Sequence, residues 1–343
     1  MSVPKNVRTP AQDQAIHPVP GAAPFRIAAC VDTSAMARSV IAHAVAFAKA
    51  LQAELTLIRV LETRPAGSAP ADPVEWEIRR REARDSIARI AEEQTDNIAG
   101  IKAQVVEGHA TEQIWLWARD HDVALTVFCT HGEDNVMGRS LGRTVSQVIN
   151  GAIGSFLLVP GSAAHEPIVH YRRILVPLDG SSQAESVLPF AAKMARADQG
   201  EIVLVHVVPI PELTEIGPLE AEAIELRERL IARNERVARD YLDRIRFRLT
   251  GQGIAVRGLI LRDGDVRRRL ARSVVDEAAD LVILSAHGRG GHADVPHGSI
   301  VAFQLAHAVT PLLIMNQRPA HTPRHVSAAS SCDLPRLPEQ ASP

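Results

Sequence analysis

Five landmarks of this 343-residue chain recur in two registers, and that repetition constrains the fold more than any single residue does. Residues 26–32 read RIAACVD and residues 173–179 read RILVPLD. Each is an apolar run ending in Asp, followed by a small polar turn, an Ala-rich amphipathic stretch and a second apolar run, AELTLIRV or GEIVLVHV. Asp32 and Asp179 stand 147 positions apart, as do Glu54 and Glu201. Gly108 and Gly264, Gly132 and Gly288, and Gly142 and Gly298 each stand 156 apart. A constant offset that steps once means one duplication, with a nine-residue length difference between Val60 and Gly108. The loop ETRPAGSAPADP and its counterpart PIPELTEIGP lie there.

Each copy reads as five strands alternating with helices. The first copy predicts strands near 26–32, 54–60, 101–107, 123–129 and 155–159. The second predicts them near 173–178, 201–208, 254–261, 280–285 and 311–316. Runs such as LVILSA and SFLLVP are apolar throughout, as strands covered on both faces should be. The expected architecture is α/β: two tandem, doubly wound, five-stranded parallel-sheet domains of Rossmann-like type. Their bounds are 25–161 and 172–317, with 162–171 as linker and 1–24 and 318–343 as disordered tails. Two Arg- and Glu-dense stretches, EWEIRRREARDSIARIAEEQ and EAIELRERLIARNERVARDYLDRIRFRL, read as solvated faces of the long second helix of each copy.

Composition narrows the function classes. Apolar residues are 46 % of the chain but aromatics only 3 %, so the cores must be built mainly from Ala, Val, Leu and Ile. A net charge of −2 offers no electrostatic footprint for nucleic acid or an anionic membrane. No apolar run is long enough to span a bilayer, and the polar, Pro-rich first residues lack a secretory core. Three scattered cysteines make no disulfide framework, and the expected location is the cytoplasm.

Ligands of such sheets sit beyond the carboxyl ends of the strands, at the switch point, so the residues after strands one and four matter most. In the second copy, strand four runs into SAHGRGGHADVPHGSIVAFQLAHAV. Its glycines let backbone approach a ligand, and Gly298-Ser299 opens a helix whose free N–H groups suit an anion. Ser299 can cap that helix and donate to a phosphate oxygen. Asp179, at the mouth of strand one, suits a ribose hydroxyl. These make a nucleotide cradle without a Walker lysine.

On these residues the second copy resembles the ATP-binding class of universal stress protein domains. The class signature is Gly, two residues, Gly, nine residues, Gly, then Ser or Thr. Here it reads Ser285-Ala-His-Gly288, nine residues, Gly298-Ser299, departing only in Ser285. The opening ILVPLDGS is also similar. The resemblance implies ATP or AMP binding, with Pro177, Asp179, Val207 and Leu284 around adenosine. It places Gly288, Gly298, Ser299 and Ile300 at the phosphates, with any Mg arriving on the nucleotide. It also implies pairing of domains through their last strands, an intramolecular pseudo-dimer, with a homodimer and a protein partner left open. The leading function is a nucleotide-dependent role in stress response. A slow ATPase or nucleotidyl transferase, and an interaction module that binds no nucleotide, are the alternatives.

The first copy keeps Asp32, Gly132 and Gly142, but Arg143 stands where Ser299 does, and Glu133 and Asp134 replace Arg289 and Gly290. Anions beside phosphates are unfavourable, so this site is expected to be degenerate. His287, His292, His297 and Asp294 suggest a metal, yet loop spacing alone does not converge ligands, and they are read as ordinary loop residues. Cys30 and Cys129 end neighbouring strands; a redox pair is weighed against two small buried side chains, and the second reading preferred. Cys332 lies in the tail.

Overall fold

The computed structural model describes residues 24–62, 72–94, 98, 100–130, 141–151, 154–161, 168–210, 221–262, 264–288 and 297–316. The first copy runs β1 (Arg26–Cys30), α1 (Ala37–Leu51), β2 (Glu54–Leu61), α2 (Pro73–Glu93), β3 (Lys102–Glu107), α3 (Ala110–Asp120), β4 (Leu125–Cys129), α4 (Arg143–Gly151) and β5 (Ser155–Val159). The second runs β6 (Arg173–Pro177), α5 (Ser182–Glu185), α6 (Leu188–Asp198), β7 (Glu201–Val208), α7 (Ala221–Thr250), β8 (Ala255–Arg262), α8 (Val266–Asp276), β9 (Leu281–Ser285), α9 (Ser299–Ala306) and β10 (Leu312–Met315). All ten expected strands are present. The single helix expected after β6 is broken in two, because Pro189 in the first turn of α6 has no N–H to continue α5. The tail segments lie almost wholly outside the described residues.

The strands form one sheet in the order β3-β2-β1-β4-β5-β10-β9-β6-β7-β8. Within each copy all pairs are parallel, and only β5 and β10 run antiparallel. Leu157 pairs with Leu313, its own counterpart at the 156-residue offset, so a pseudo-two-fold axis passes through that pair. The two last strands, apolar and at the edge of their own sheets, thereby cover each other.

Helices clothe both faces. On one side α1, α2, α6 and α7 pack over a single apolar cluster running from Ile27 and Phe47 through Leu157 and Leu313 to Leu204 and Ile245. On the other, α3, α4, α8 and α9 cover a cluster from Ile114 and Phe128 to Leu284 and Ile314. Both clusters cross the domain seam, and four aromatics, Phe25, Phe47, Tyr171 and Phe190, gather there. Phe47 meets Tyr171 edge-on at 5.4 Å and Phe190 at 6.0 Å, and Phe25 meets Phe190 at 6.1 Å. Tyr171, assigned from sequence to the linker, is fully buried and shares a 2.6 Å hydrogen bond with Nδ1 of buried His43 on α1. Its aromatic ring gains more from the seam than from solvent. Burial pushes His43 down to about 4 and raises Tyr171 well above the usual tyrosine range, with Asp280 and Asp198 adding to the latter.

One device appears twice at the amino ends of the strands. Arg26 donates to the carbonyl of His121 at 3.0 Å, and Arg173 to that of Glu277 at 2.6 Å; these carbonyls belong to the residues closing α3 and α8. Each arginine also faces the acid beginning the next strand, Glu54 at 3.6 Å and Glu201 at 3.8 Å. A cation at a helix C-terminus satisfies orphan carbonyls and opposes the helix dipole.

Candidate nucleotide site at the strand ends

Asp179 follows β6, and its Oδ1 accepts from the Ser181 N–H at 2.9 Å and the Ser181 hydroxyl at 2.6 Å. Ser181 Oγ in turn accepts from the Ala184 N–H at 3.1 Å, capping α5. Asp179 therefore builds the turn that ends the first strand, an Asx arrangement. The first copy repeats it: Asp32 Oδ1 accepts from the Ser34 N–H at 3.0 Å and the Ser34 hydroxyl at 2.6 Å. In both copies this aspartate has a place in the turn that owes nothing to a ligand. Its presence is weaker evidence for ribose recognition than the sequence reading supposes.

Across the strand ends, Gly288 packs against that carboxylate. A Cβ at Gly288 would collide with Asp179 Oδ2, so close approach explains this glycine. Gly298 is different. Its N–H donates to the Ala286 carbonyl at 2.9 Å, its φ of −73° suits any residue, and among the described residues a Cβ would meet nothing nearer than 3.7 Å. It occupies the N-cap of α9, where Ser, Thr, Asp or Asn would cap better. Nothing among the described residues requires glycine there.

Ser299 is the first residue of α9 and is exposed, and among the described residues no side chain caps this helix. The dual role expected for Ser299 is thus corrected: a side chain inside the first turn points away from the N–H groups that an N-cap serves. Its hydroxyl stands exposed on the first turn of α9. Ile300 follows, partly buried against the core. Val207 and Leu284 are buried to 8 % and 4 % exposure on the same face of the sheet, while Pro177 and Ser285 end β6 and β9 half-buried. The structure thus brings all nine candidate residues to one end of β6, β7 and β9.

Two neighbours escaped the sequence reading. His206, next to the end of β7, shares a 2.7 Å hydrogen bond with the Leu178 carbonyl, holding the exit of β6. Tyr241 of α7 lies edge-on to it at 6.4 Å, and its hydroxyl is pushed up by burial and then by the negative field of Glu185 and Asp179. The HVV run was visible only as strand, because nothing local says that α7 returns over it.

In the first copy, the Gly142 N–H donates to the Thr130 carbonyl at 2.9 Å, the counterpart of the Gly298 bond. Arg143 is exposed at the start of α4. Gly132, Glu133 and Asp134 lie outside the described residues, as do Arg289, Gly290, His292 and Asp294 in the second. Among the described residues no cluster of three potential metal ligands occurs. Cys30 packs into one apolar cluster and Cys129 into the other, on opposite faces of the sheet. Alternation along adjacent strands separates them, so they do not form a pair. Burial raises the Cys30 thiol to about 12, which suits an inert apolar side chain.

Two stretches of the chain, residues 25–160 and 170–316, each match the universal stress protein family. The chain belongs to that family. A universal stress protein of Mycolicibacterium smegmatis is 25 % identical over 315 residues, covering 88 % of this chain and all of that one. A shorter one from Methanocaldococcus jannaschii is 22 % identical over 159 residues, 44 % of this chain and 98 % of its own. Among solved structures, a universal stress protein from Archaeoglobus fulgidus superposes with a TM-score of 0.59 at 15 % identity, over 85 % of this chain and 96 % of that one. As a tandem universal stress protein, the chain has one family unit on each side of the β5–β10 seam. No helix among its described residues is long and apolar enough to cross a membrane.

Proposed function

We propose that the second domain binds an adenine nucleotide, ATP or AMP, and that the protein acts in stress response through the conformation or partner that this nucleotide favours. The observation that carries the reading is Gly298, a glycine at a helix N-cap where neither its backbone angle nor crowding by any described residue asks for one. A phosphate drawn to the N–H groups of Ser299 and Ile300 would need that absence of a side chain. Pro177, Val207 and Leu284 would flank adenosine, and Ser285 and Gly288 would let the loop close on the nucleotide. Any magnesium would come with ATP. The first domain, with Arg143 for Ser299, is proposed not to bind the nucleotide, and the setting is proposed to be cytoplasmic, away from nucleic acid.

Mass spectrometry of what co-purifies, calorimetry with ATP and AMP, and a turnover assay on added ATP test this together. The expected results are adenine nucleotide in the purified protein, a stoichiometry near one per chain and negligible turnover. Two equivalent sites would remove the distinction between domains. Rapid phosphate release would favour an ATPase, with a base other than Asp179, which is held in its turn.

A further inference from the structure

The two long helices stand at opposite ends of the ten-stranded sheet, α2 over β2 and β3 and α7 over β7 and β8. Each buries one stripe and turns another to solvent. On α7 the outward row is Arg233, Val237, Asp240, Arg244 and Phe247, and steps of four, three, four and three keep it on one face. Val237 is 56 % exposed and Phe247 84 %. On α2 the same steps give Val74, Ile78, Arg81, Asp85 and Ala88, with Val74 66 % and Ile78 53 % exposed. Single apolar residues on a surface are ordinary. Here they fall at matching steps on two helices.

Charge separates the two faces. From Arg229 to Arg248, α7 exposes seven arginines against Asp240 and Asp243, whereas α2 exposes six acids against four arginines. Asp240 and Arg244 have no ion-pair or hydrogen-bond partner among the described residues. Arg81 and Asp85 reach each other only at 3.9 Å, with side chains 84 % and 75 % exposed. Laid side by side and parallel, the rows set Val237 on Ile78, Asp240 opposite Arg81, Arg244 opposite Asp85, and Phe247 on Ala88. Every pair is complementary. Antiparallel, with Phe247 on Ile78, Arg244 would meet Arg81 and Asp240 would meet Asp85, so like charges reject that register. Within one molecule the helices are separated by eight strand spacings, about 38 Å, and cannot touch.

We propose that α7 of one copy docks on α2 of a second copy in this parallel register, joining molecules head to tail. Twist of about 20° per strand turns α2 and α7 to different sides, so a neighbour reaches only one of them and the assembly grows contact by contact. A helix about 10 Å wide offers about 200 Å² over the roughly 22 Å from Arg233 to Phe247. That is far below the roughly 1200 Å² of a stable interface, so the association is weak and depends on charge. It does not rest on nucleotide binding. Sedimentation velocity of the full chain from about 5 to about 300 µM tests it, with a monomer expected at the low end and growing oligomers at the high end. Raising salt from about 0.05 M to about 0.5 M should disperse them. Arg244→Asp sets an acid against Asp85, and Asp85→Arg sets a cation against Arg244. Both positions are exposed, so each variant should fold and, alone, stay monomeric. Mixed in equal amounts, the two should associate again, because the reversals then face each other. Phe247→Ser should weaken the wild-type association about tenfold by removing its aromatic anchor. A monomer at every concentration would leave these faces to a different protein and overturn the proposal. Association that ignores salt, survives Arg244→Asp, or fails to return on mixing would overturn it as well.

Discussion

The two domains share a frame and differ in what the frame holds. Both follow the first strand with an aspartate that ties its own turn, close the loop after strand four with a glycine N–H on the carbonyl of the residue just past that strand, and clamp the helix before strand four with an arginine. These elements recur because they satisfy backbone groups that any ligand state would leave exposed. What changes is the side chain at the head of the last helix, Arg143 against Ser299, and the depth of packing beneath the third, Ile114 alone against three buried residues. Features common to both copies therefore report on folding, and features confined to one report on a ligand. By that rule Asp179 moves to the first class, and Ser299, where the first copy has Arg143, stays in the second.

The largest expected effect tests the seam, where the copies meet unequally. His43 of the first domain occupies the place of Phe190 in the second, and only the histidine titrates. Held at about 4 against an ordinary 6.5, the folded protein binds fewer protons there than the unfolded chain. Its contribution is complete above pH 6.5 and is lost as the pH falls towards 4, about 3 kcal/mol in all. Denaturant melts from pH 7 to pH 4 should show that decline in the wild type and a flatter curve in His43→Gln. Parallel curves would mean that the seam opens before His43 is protonated.

The next effect separates the loops. Gly298→Val should lower ATP affinity at least a hundredfold, about 2.7 kcal/mol, with little change in melting, since no described residue crowds a side chain at Gly298. Gly142→Val, at the matching position, should leave total nucleotide binding intact. Equal losses from both would make the first domain a working site and dissolve the contrast. Changing Asp179 to Ala would not discriminate, because the turn would loosen along with any ribose contact.

Ser299→Ala refines the same comparison on a smaller scale. Its hydroxyl does not cap α9, so melting should stay unchanged while ATP weakens about tenfold, or 1.4 kcal/mol. AMP, which reaches less far along the loop, should barely respond. Titrations with both nucleotides check this, and an equal loss for the two would place the terminal phosphates elsewhere.

The smallest effect should be the same in both halves. Arg26→Ala and Arg173→Ala each remove a hydrogen bond to a helix-closing carbonyl and should each cost about 1 kcal/mol in chemical denaturation. The Arg173 variant is expected to cost slightly more, because Arg173 is the shorter bond and is joined by Arg257 in a shared network around Glu201 and Glu277. A difference of several kcal/mol would show that the shared frame has diverged too.

Much of this protein was decided by its sequence alone. Periodicity, strand-length apolar runs and the stepped offset determine two parallel α/β units, because hydrophobic burial repeats with the backbone and is written locally. The spacing of Gly288, Gly298 and Ser299 likewise follows from the reach of a loop between one strand and one helix. Only the tertiary structure decided the rest, since it depends on residues that meet from distant parts of the chain. It set the antiparallel register in which the two sheets join, drew Tyr171 from an apparent linker into the seam, and set Cys30 and Cys129 on opposite faces. It brought His206 and Tyr241 under the turn of Asp179, and gave Asp179 its turn and Ser299 its exposed place. Packing is a property of pairs across the fold, and a one-dimensional pattern records which residues want burial but not which neighbours they find.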